Sequence, residues 1–160
     1  MPDGLYERDI LAWSEEQARL LQRLAAGEPG VNAAVDWPNL IEEVEAVGRS
    51  ELRACESLLL QAMIHLLKLH AWPGSRSVEH WEDEVWGFLD GARRAFSPSM
   101  AQRMDLEQEF RRAVRRMGAS RDDSGDPRPL PRICPFTLGG LLDEEADVRA
   151  LVAKLEAGDA

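Results

Sequence analysis

The sequence predicts an all-α protein, arranged as an antiparallel up-down bundle of four main helices with a long central helix and a short C-terminal helix. Apolar residues recur at steps of three and four along most of the chain. No stretch alternates apolar and polar residues as a strand would, and glycine and proline separate the periodic stretches. Helices joined by such short connections are expected to pack antiparallel.

The central helix is predicted over 37–71. One stripe of this helix carries its apolar and small residues, namely Ile41, Val44, Gly48, Leu52, Cys55, Leu59, Ala62 and Leu66. Asp36 or Asn39 can cap its start, and Glu42 follows Asn39 by three residues as in a capping box. At Gly48 either a neighbouring helix approaches closely or the helix kinks. The unbroken phase of the stripe favours a continuous helix.

The remaining elements are placed by their caps and stops. Helices are predicted over 4–26, 78–95 and 98–117, with a short fifth helix starting near 138. Ser14, three residues before Gln17, allows the first helix to bend or restart there. The later helices are predicted to begin after Ser77, Ser97 and Thr137.

Length and spacing predict a single helical domain over 1–160. Residues 119–132 have almost nothing apolar to bury, so they are predicted to form an exposed linker. Residues 133–160 are predicted to be a C-terminal segment that packs across the bundle.

Charge and composition exclude several classes of partner. The formal net charge of −10 disfavours nucleic acid and anionic membrane surfaces. The apolar runs are shorter than the roughly 20 residues of a membrane span, and the first residues lack a signal-peptide pattern. Cys55 and Cys134 lack metal-ligand spacing and are interpreted as reduced thiols of a cytoplasmic protein.

Four segments of the chain resemble one protein family. They are LYERDILAWSEEQARLL, DWPNLIEEVEAVGRSELRACESLLLQAMIHLLKL, FSPSM and CPFTLGGLLDEE. They resemble the bacterial domain of unknown function family twenty-nine, found mostly in cyanobacteria and proteobacteria, and the pattern from Asp36 to Glu51 is the most specific part. The resemblance covers residues 5 to about 145. It implies an all-helical, cytoplasmic bacterial protein with no established activity.

The densest polar cluster is interpreted as a possible recognition surface on the central helix. Its members are Trp37, Asn39, Glu42, Glu43, Glu45, Arg49, Ser50 and Glu51. The alternative is a solvated helix face with pairs such as Glu45–Arg49, and acid–base chemistry by two of the carboxylates is a third reading. From this surface we expect a non-enzymatic protein-interaction bundle.

A metal- or small-ligand-binding protein, or an enzyme, is the alternative function. It would use the Glu cluster of the central helix with His65 or His70. No glutamate precedes a histidine by three residues, the spacing of di-iron bundles, although His65, His70 and His80 could meet from two helices. No cofactor, metal ligand or catalytic residue is assigned.

Two further surfaces bear on partners. Arg111, Arg112, Arg115 and Arg116 form a basic patch without interleaved aromatic residues, so acidic helices of this chain or of a second copy are preferred to nucleic acid. Leu60, Ile64 and Leu67 would be a possible oligomer surface, since the second half of the central helix is apolar almost all round. The expected partner is therefore a second copy, as a homodimer, or another protein. Cover of these residues within one chain is the competing explanation.

Overall fold

A computed structural model describes residues 5–27 and 37–157, and all regular secondary structure within these ranges is helical. The helices are α1 (Leu5–Arg8), α2 (Ile10–Gly27), α3 (Trp37–Ala71), α4 (Val78–Ala95), α5 (Leu106–Met117), α6 (Leu138–Leu142) and α7 (Val148–Ala157), with a 3₁₀ helix at Pro98–Gln102. The all-α fold class is confirmed. The up-down order of a four-helix bundle stays a prediction.

The first predicted helix is divided at Asp9 rather than near Ser14. The Asp9 carboxylate accepts a hydrogen bond from the Ala12 N–H at 3.0 Å, so it caps the start of α2. Ser14 lies buried inside α2, and its hydroxyl donates to the Leu11 carbonyl at 2.9 Å. The prediction of a bend at Ser14 was wrong because this hydroxyl bonds back into its own helix instead of capping a new one.

The long helix predicted over 37–71 is confirmed, and it continues through Gly48. A Cβ atom at Gly48 would clash with Ser14 Oγ and would lie 2.9 Å from Leu11 Cδ1 and 3.3 Å from Leu11 Cα. Glycine therefore permits the close approach of α2 to α3. The alternative of a kink at Gly48 is not observed.

The single helix predicted over 98–117 is instead a 3₁₀ turn followed by α5. Asp105 caps α5, because its carboxylate accepts from the Gln108 N–H at 2.9 Å. The short helix predicted near 138 begins at Leu138 as α6, and a further helix, α7, follows it. Thr137 caps α6 by accepting from the Gly140 N–H at 3.1 Å, and Asp147 then accepts from the Arg149 N–H as α7 begins.

The described chain groups into two compact units. The first is drawn from residues 1–54 and 95–103, and the second from 55–94 and 104–160. The first buries Leu11, Ala18 and Met100. The second buries a larger apolar set that includes Leu59, Met63, Leu66, Val85, Leu89, Phe110, Leu141 and Leu155. The single domain over 1–160 stays a prediction.

The proposed oligomer surface is largely buried within the chain. Ile64 is 7% exposed and Leu67 is 0% exposed, while Leu60 is half-buried. Ile64 and Leu67 therefore cannot supply the apolar patch expected of them, and the competing explanation of cover within one chain holds for both. Self-association stays a prediction that now lacks this surface as its motive.

Within the predicted linker, residues 123–129 are all exposed, whereas Pro131 is buried. The linker is also attached to the end of α3. The Arg128 N–H donates to the Ala71 carbonyl at 3.0 Å, and the Trp72 indole donates to the Gly125 carbonyl at 2.8 Å. The linker thus satisfies a carbonyl that the end of a helix leaves without an intrahelical partner.

Candidate functional site

A charged cleft of about 450 Å³ lies within the first unit. Its lining residues are Leu11, Glu15 and Arg19 of α2, Glu45, Arg49 and Leu52 of α3, and Arg103 after the 3₁₀ helix. The close approach at Gly48 and the Asp9 cap set the position of α2 beside α3. The Asp9 carboxylate also accepts a hydrogen bond from the Ser99 N–H at 2.6 Å. This bond links the 3₁₀ helix to the start of α2.

Three guanidinium groups and two carboxylates give the cleft a local charge of +1 on an acidic chain. Arg103 is ion-paired with Glu15, and Arg49 lies 3.4 Å from Glu45. Arg19 is exposed and has no ion pair among the residues described. The cleft therefore offers one uncompensated guanidinium over an apolar floor that includes Leu11.

The predicted recognition surface contributes two of its members to the cleft. Glu45 and Arg49 line it, and their predicted i,i+4 ion pair is confirmed. Glu42, Glu43, Ser50 and Glu51 are exposed on the same helix but are not among the lining residues. The side chains of Trp37 and Asn39 fall outside the described part of the structure.

Sequence reasoning missed the residues that complete the cleft. Arg103, which follows the 3₁₀ helix, pairs with Glu15 of α2. Glu15 and Arg19 are one turn apart on α2, a spacing that puts them on the same face. That spacing was a usable signal, but which helix the face would meet depended on the close approach at Gly48.

The histidines of the central helix have different neighbours from those in the alternative hypothesis. His65 is 7% exposed, and its Nε2 lies 2.7 Å from Glu84 Oε2 of α4. His80 Nε2 lies 3.5 Å from the same Glu84 oxygen. His65 therefore pairs with Glu84, which is not a member of the predicted Glu cluster. Across residues 5–27 and 37–157, no group of three or more His, Cys, Asp or Glu residues is placed to hold a metal ion.

His65 is held firmly because both ring nitrogens face oxygen atoms. Its Nδ1 lies 2.8 Å from the Gln61 carbonyl, and its ring centroid lies 5.3 Å from that of Phe88. His70 Nε2 lies 3.0 Å from the Pro129 carbonyl, within the linker.

Both cysteines are free. Burial, with a smaller contribution from the negative charge of Glu56, raises the pKa of Cys55 to about 11. Burial also raises the pKa of Cys134, although a hydrogen bond to Phe136 opposes the shift. Since the thiolate is the reactive form, both side chains are weak nucleophiles at neutral pH.

Helices and a charged surface cleft place this chain among small all-α proteins. A crystal structure of an α-helical protein of unknown function from Rhodospirillum rubrum is similar to it, with a TM-score of 0.84 and 28% sequence identity over 94% of this chain and 96% of that one. The chain belongs to the family described as Domain of unknown function DUF29, whose model matches residues 5–146. No curated protein matches it. Among the described helices, none is both long and apolar enough to cross a membrane.

Proposed function

We propose that this protein is a non-enzymatic, cytoplasmic interaction module of bacteria that recognises another protein through the charged cleft and the adjoining exposed face of α3. The observation that carries the proposal is the unpaired, exposed Arg19 in a cleft where the other charged groups are already paired. Arginine favours planar carboxylates, so an acidic side chain of the partner is its natural counterpart.

The exposed residues beside the cleft support recognition of a large partner. Glu42, Glu43, Ser50 and Glu51 extend the polar surface along α3 beyond the cleft itself. An interface of ordinary size needs about 800 Å² per partner, more than a cleft alone provides. A second copy of the chain is one possible partner, although Ile64 and Leu67 are buried and cannot contribute.

Site-specific photo-crosslinking in cells tests the proposal. A crosslinking amino acid placed at Ser50 is expected to capture one discrete protein, whereas the same amino acid at exposed Glu144 is expected not to capture it. Arg19→Glu, which reverses the charge of the guanidinium that carries the proposal, and Arg49→Glu should each abolish the Ser50 crosslink. Arg53→Glu is the matched control, because Arg53 is exposed on the same helix, is not a lining residue and receives the same charge change.

Two results would reject the proposal. The first is a Ser50 crosslink that persists in Arg49→Glu or falls equally in Arg53→Glu. The second is a stoichiometric amount of tightly held zinc, iron or manganese in the purified protein, which would favour the metal-binding alternative. The mass of the crosslinked product separates a second copy from a different protein.

A further inference from the structure

A groove of about 530 Å³ lies within the second unit, between α5 and the segment 130–132 at the end of the predicted linker. Arg111, Val114 and Arg115 of α5 form one wall, and Leu130, Pro131 and Arg132 form the other. The volume lies within the range of roughly 300–1,000 Å³ found for ligand sites. None of these residues belongs to the charged cleft, so the groove is independent of the proposed function.

The groove is positively charged on an acidic protein. The charged side chains of its lining are all arginines. Arg111 Nε lies 3.5 Å from Glu107 Oε1 in an i,i+4 ion pair. Because the pair is exposed to solvent, the attraction between the two side chains is weak. Arg115 and Arg132 are exposed and make no ion pair within residues 5–27 and 37–157. Two guanidinium groups are therefore available to an anionic ligand.

Apolar surface runs along the floor and beyond the end of the groove. Pro131 is buried, and Val114 and Leu130 are half-buried. Ile133, the residue after Arg132, is 75% exposed. This large apolar side chain therefore adds exposed apolar surface next to Arg132 in the sequence, outside the cavity itself. A ligand longer than the groove, with apolar groups beside its charges, would cover that surface.

The wall formed by the segment is anchored on both sides. Upstream, the Arg128 N–H donates to the Ala71 carbonyl at 3.0 Å. Downstream, the Cys134 N–H donates to Glu107 Oε2 at 3.0 Å, and the Phe136 and Phe110 ring centroids lie 6.0 Å apart. A wall that is already ordered loses little conformational entropy on binding, so the groove is preorganised.

We propose that this groove binds an acidic peptide segment of a partner protein. Carboxylates of the peptide pair with Arg115 and Arg132, and a neighbouring apolar side chain packs on Leu130 and Ile133. The guanidinium fork matches a carboxylate in a bidentate geometry. Nucleic acid suits the groove less, because its lining has no aromatic residue on which bases stack and the whole chain repels a polyanion.

Selection of random peptides displayed on phage, with the full chain as bait, tests the proposal. The selected peptides are expected to be enriched in Asp and Glu next to Leu, Ile or Phe. A selected peptide carrying fluorescein is then titrated by fluorescence anisotropy. Arg115→Glu and Arg132→Glu should each weaken binding at least about tenfold, because each replaces an attraction with a repulsion. Arg116→Glu is the matched control and should change binding less than about twofold, since Arg116 is exposed on the same helix but does not line the groove.

Three outcomes would overturn the proposal. Selected peptides could lack acidic enrichment, or Arg115→Glu and Arg116→Glu could weaken binding equally. A single-stranded oligonucleotide or phosphatidylglycerol vesicles are added as competitors of the labelled peptide. If either displaces it at a lower concentration than unlabelled peptide does, the groove belongs to that ligand instead. Circular dichroism checks that each variant folds. If Arg115→Glu does not fold, Arg132→Glu and Ile133→Asp decide the question, since both alter exposed side chains of the segment.

Discussion

The two halves of α3 have the same backbone geometry and opposite environments. In the first half, Glu42, Glu43, Ser50 and Glu51 are exposed, and the buried position is a glycine, Gly48. In the second half, Met63, Leu66 and Leu67 are completely buried. The second half therefore contributes side-chain volume to a core, whereas the first contributes charge to a surface and a gap into which α2 fits.

This difference separates stability from recognition along one helix. Apolar burial stabilises a fold by about 25 cal/mol per Å² of buried apolar surface, so truncations in the second half should be costly. Exposed polar side chains contribute little to stability and remain available to a partner. Substitutions along α3 should follow this division, and the exception expected in the first half is Gly48.

The largest effect is expected from Leu66→Ala in the second half. Leu66 is 0% exposed, so the substitution removes buried methyl groups and leaves a cavity. The free energy of unfolding should fall by about 2–5 kcal/mol, measured by urea unfolding with circular dichroism. Leu24→Ala is the control, because Leu24 is 53% exposed and should change stability by less than about 0.5 kcal/mol. Equal losses in the two variants would contradict the comparison.

Lowering the pH should reduce the stability of the first unit, because the Asp9 carboxylate becomes protonated. Burial alone would raise the pKa of Asp9, but its hydrogen bonds with Ser99, Ala12 and Leu11 outweigh that effect and lower the pKa below 3.8. Because the pKa of Asp9 is lower in the folded protein, its stabilisation is fully present above the pKa of the unfolded chain. The stabilisation is lost as the pH falls through the pKa of the folded protein.

The test compares the wild type with Asp9→Ala across pH. At neutral pH the variant should lose about 2 kcal/mol, because both the helix cap and the hydrogen bonds from Ser99 disappear. That difference should shrink as pH falls below 3.8, the ordinary value for this carboxyl. Urea unfolding over a pH series measures it, and a difference that does not vary with pH would refute the assigned role.

Gly48→Ala probes the one close approach in the first half. The added Cβ would lie 3.3 Å from the Leu11 backbone, which cannot rotate away. Overpacking costs about 1–3 kcal/mol and the gain in helix propensity returns about 1, so a net loss of up to about 2 kcal/mol is expected in urea unfolding. Gly87→Ala in α4 meets nothing within 4 Å and should stabilise the protein by up to about 1 kcal/mol. A Gly48→Ala variant as stable as Gly87→Ala would show that α2 can shift freely.

The smallest effects are expected at the exposed acidic residues of the first half. Glu43→Ala and Glu51→Ala should each change the free energy of unfolding by less than about 0.5 kcal/mol, because both side chains are exposed. The same urea titration measures this. A loss above about 1 kcal/mol in either variant would show that the residue supports the fold rather than a recognition surface.

Long periodic elements were predictable from the sequence, and short or divided ones were not. The helix over 37–71 and the starts of α4 and α6 follow directly from apolar spacing and from caps. The break at Asp9 was missed because the same residue type can sit inside a helix or cap one, and the choice depends on where Ser99 lies. The break before Asp105 was missed because Met100, Met104, Glu107 and Phe110 keep steps of three and four across it.

The candidate sites were only partly predictable for a related reason. Glu45 and Arg49 could be found because their partners lie one turn away on the same helix. Glu15 and Arg103 are distant in sequence, so their pairing depends on how the chain folds back. The basic residues Arg111 and Arg115 were recognised, but the opposite wall at Leu130–Arg132 was assigned to a linker without a role.

The sequence by itself determined the helical class, the family and the long central helix, because each depends on local spacing along the chain. Tertiary structure alone decided which apolar residues of α3 are buried, with which carboxylate His65 pairs, and which arginines remain unpaired. Burial and ion pairing depend on atoms far apart in the chain, and periodicity carries no information about which surfaces meet.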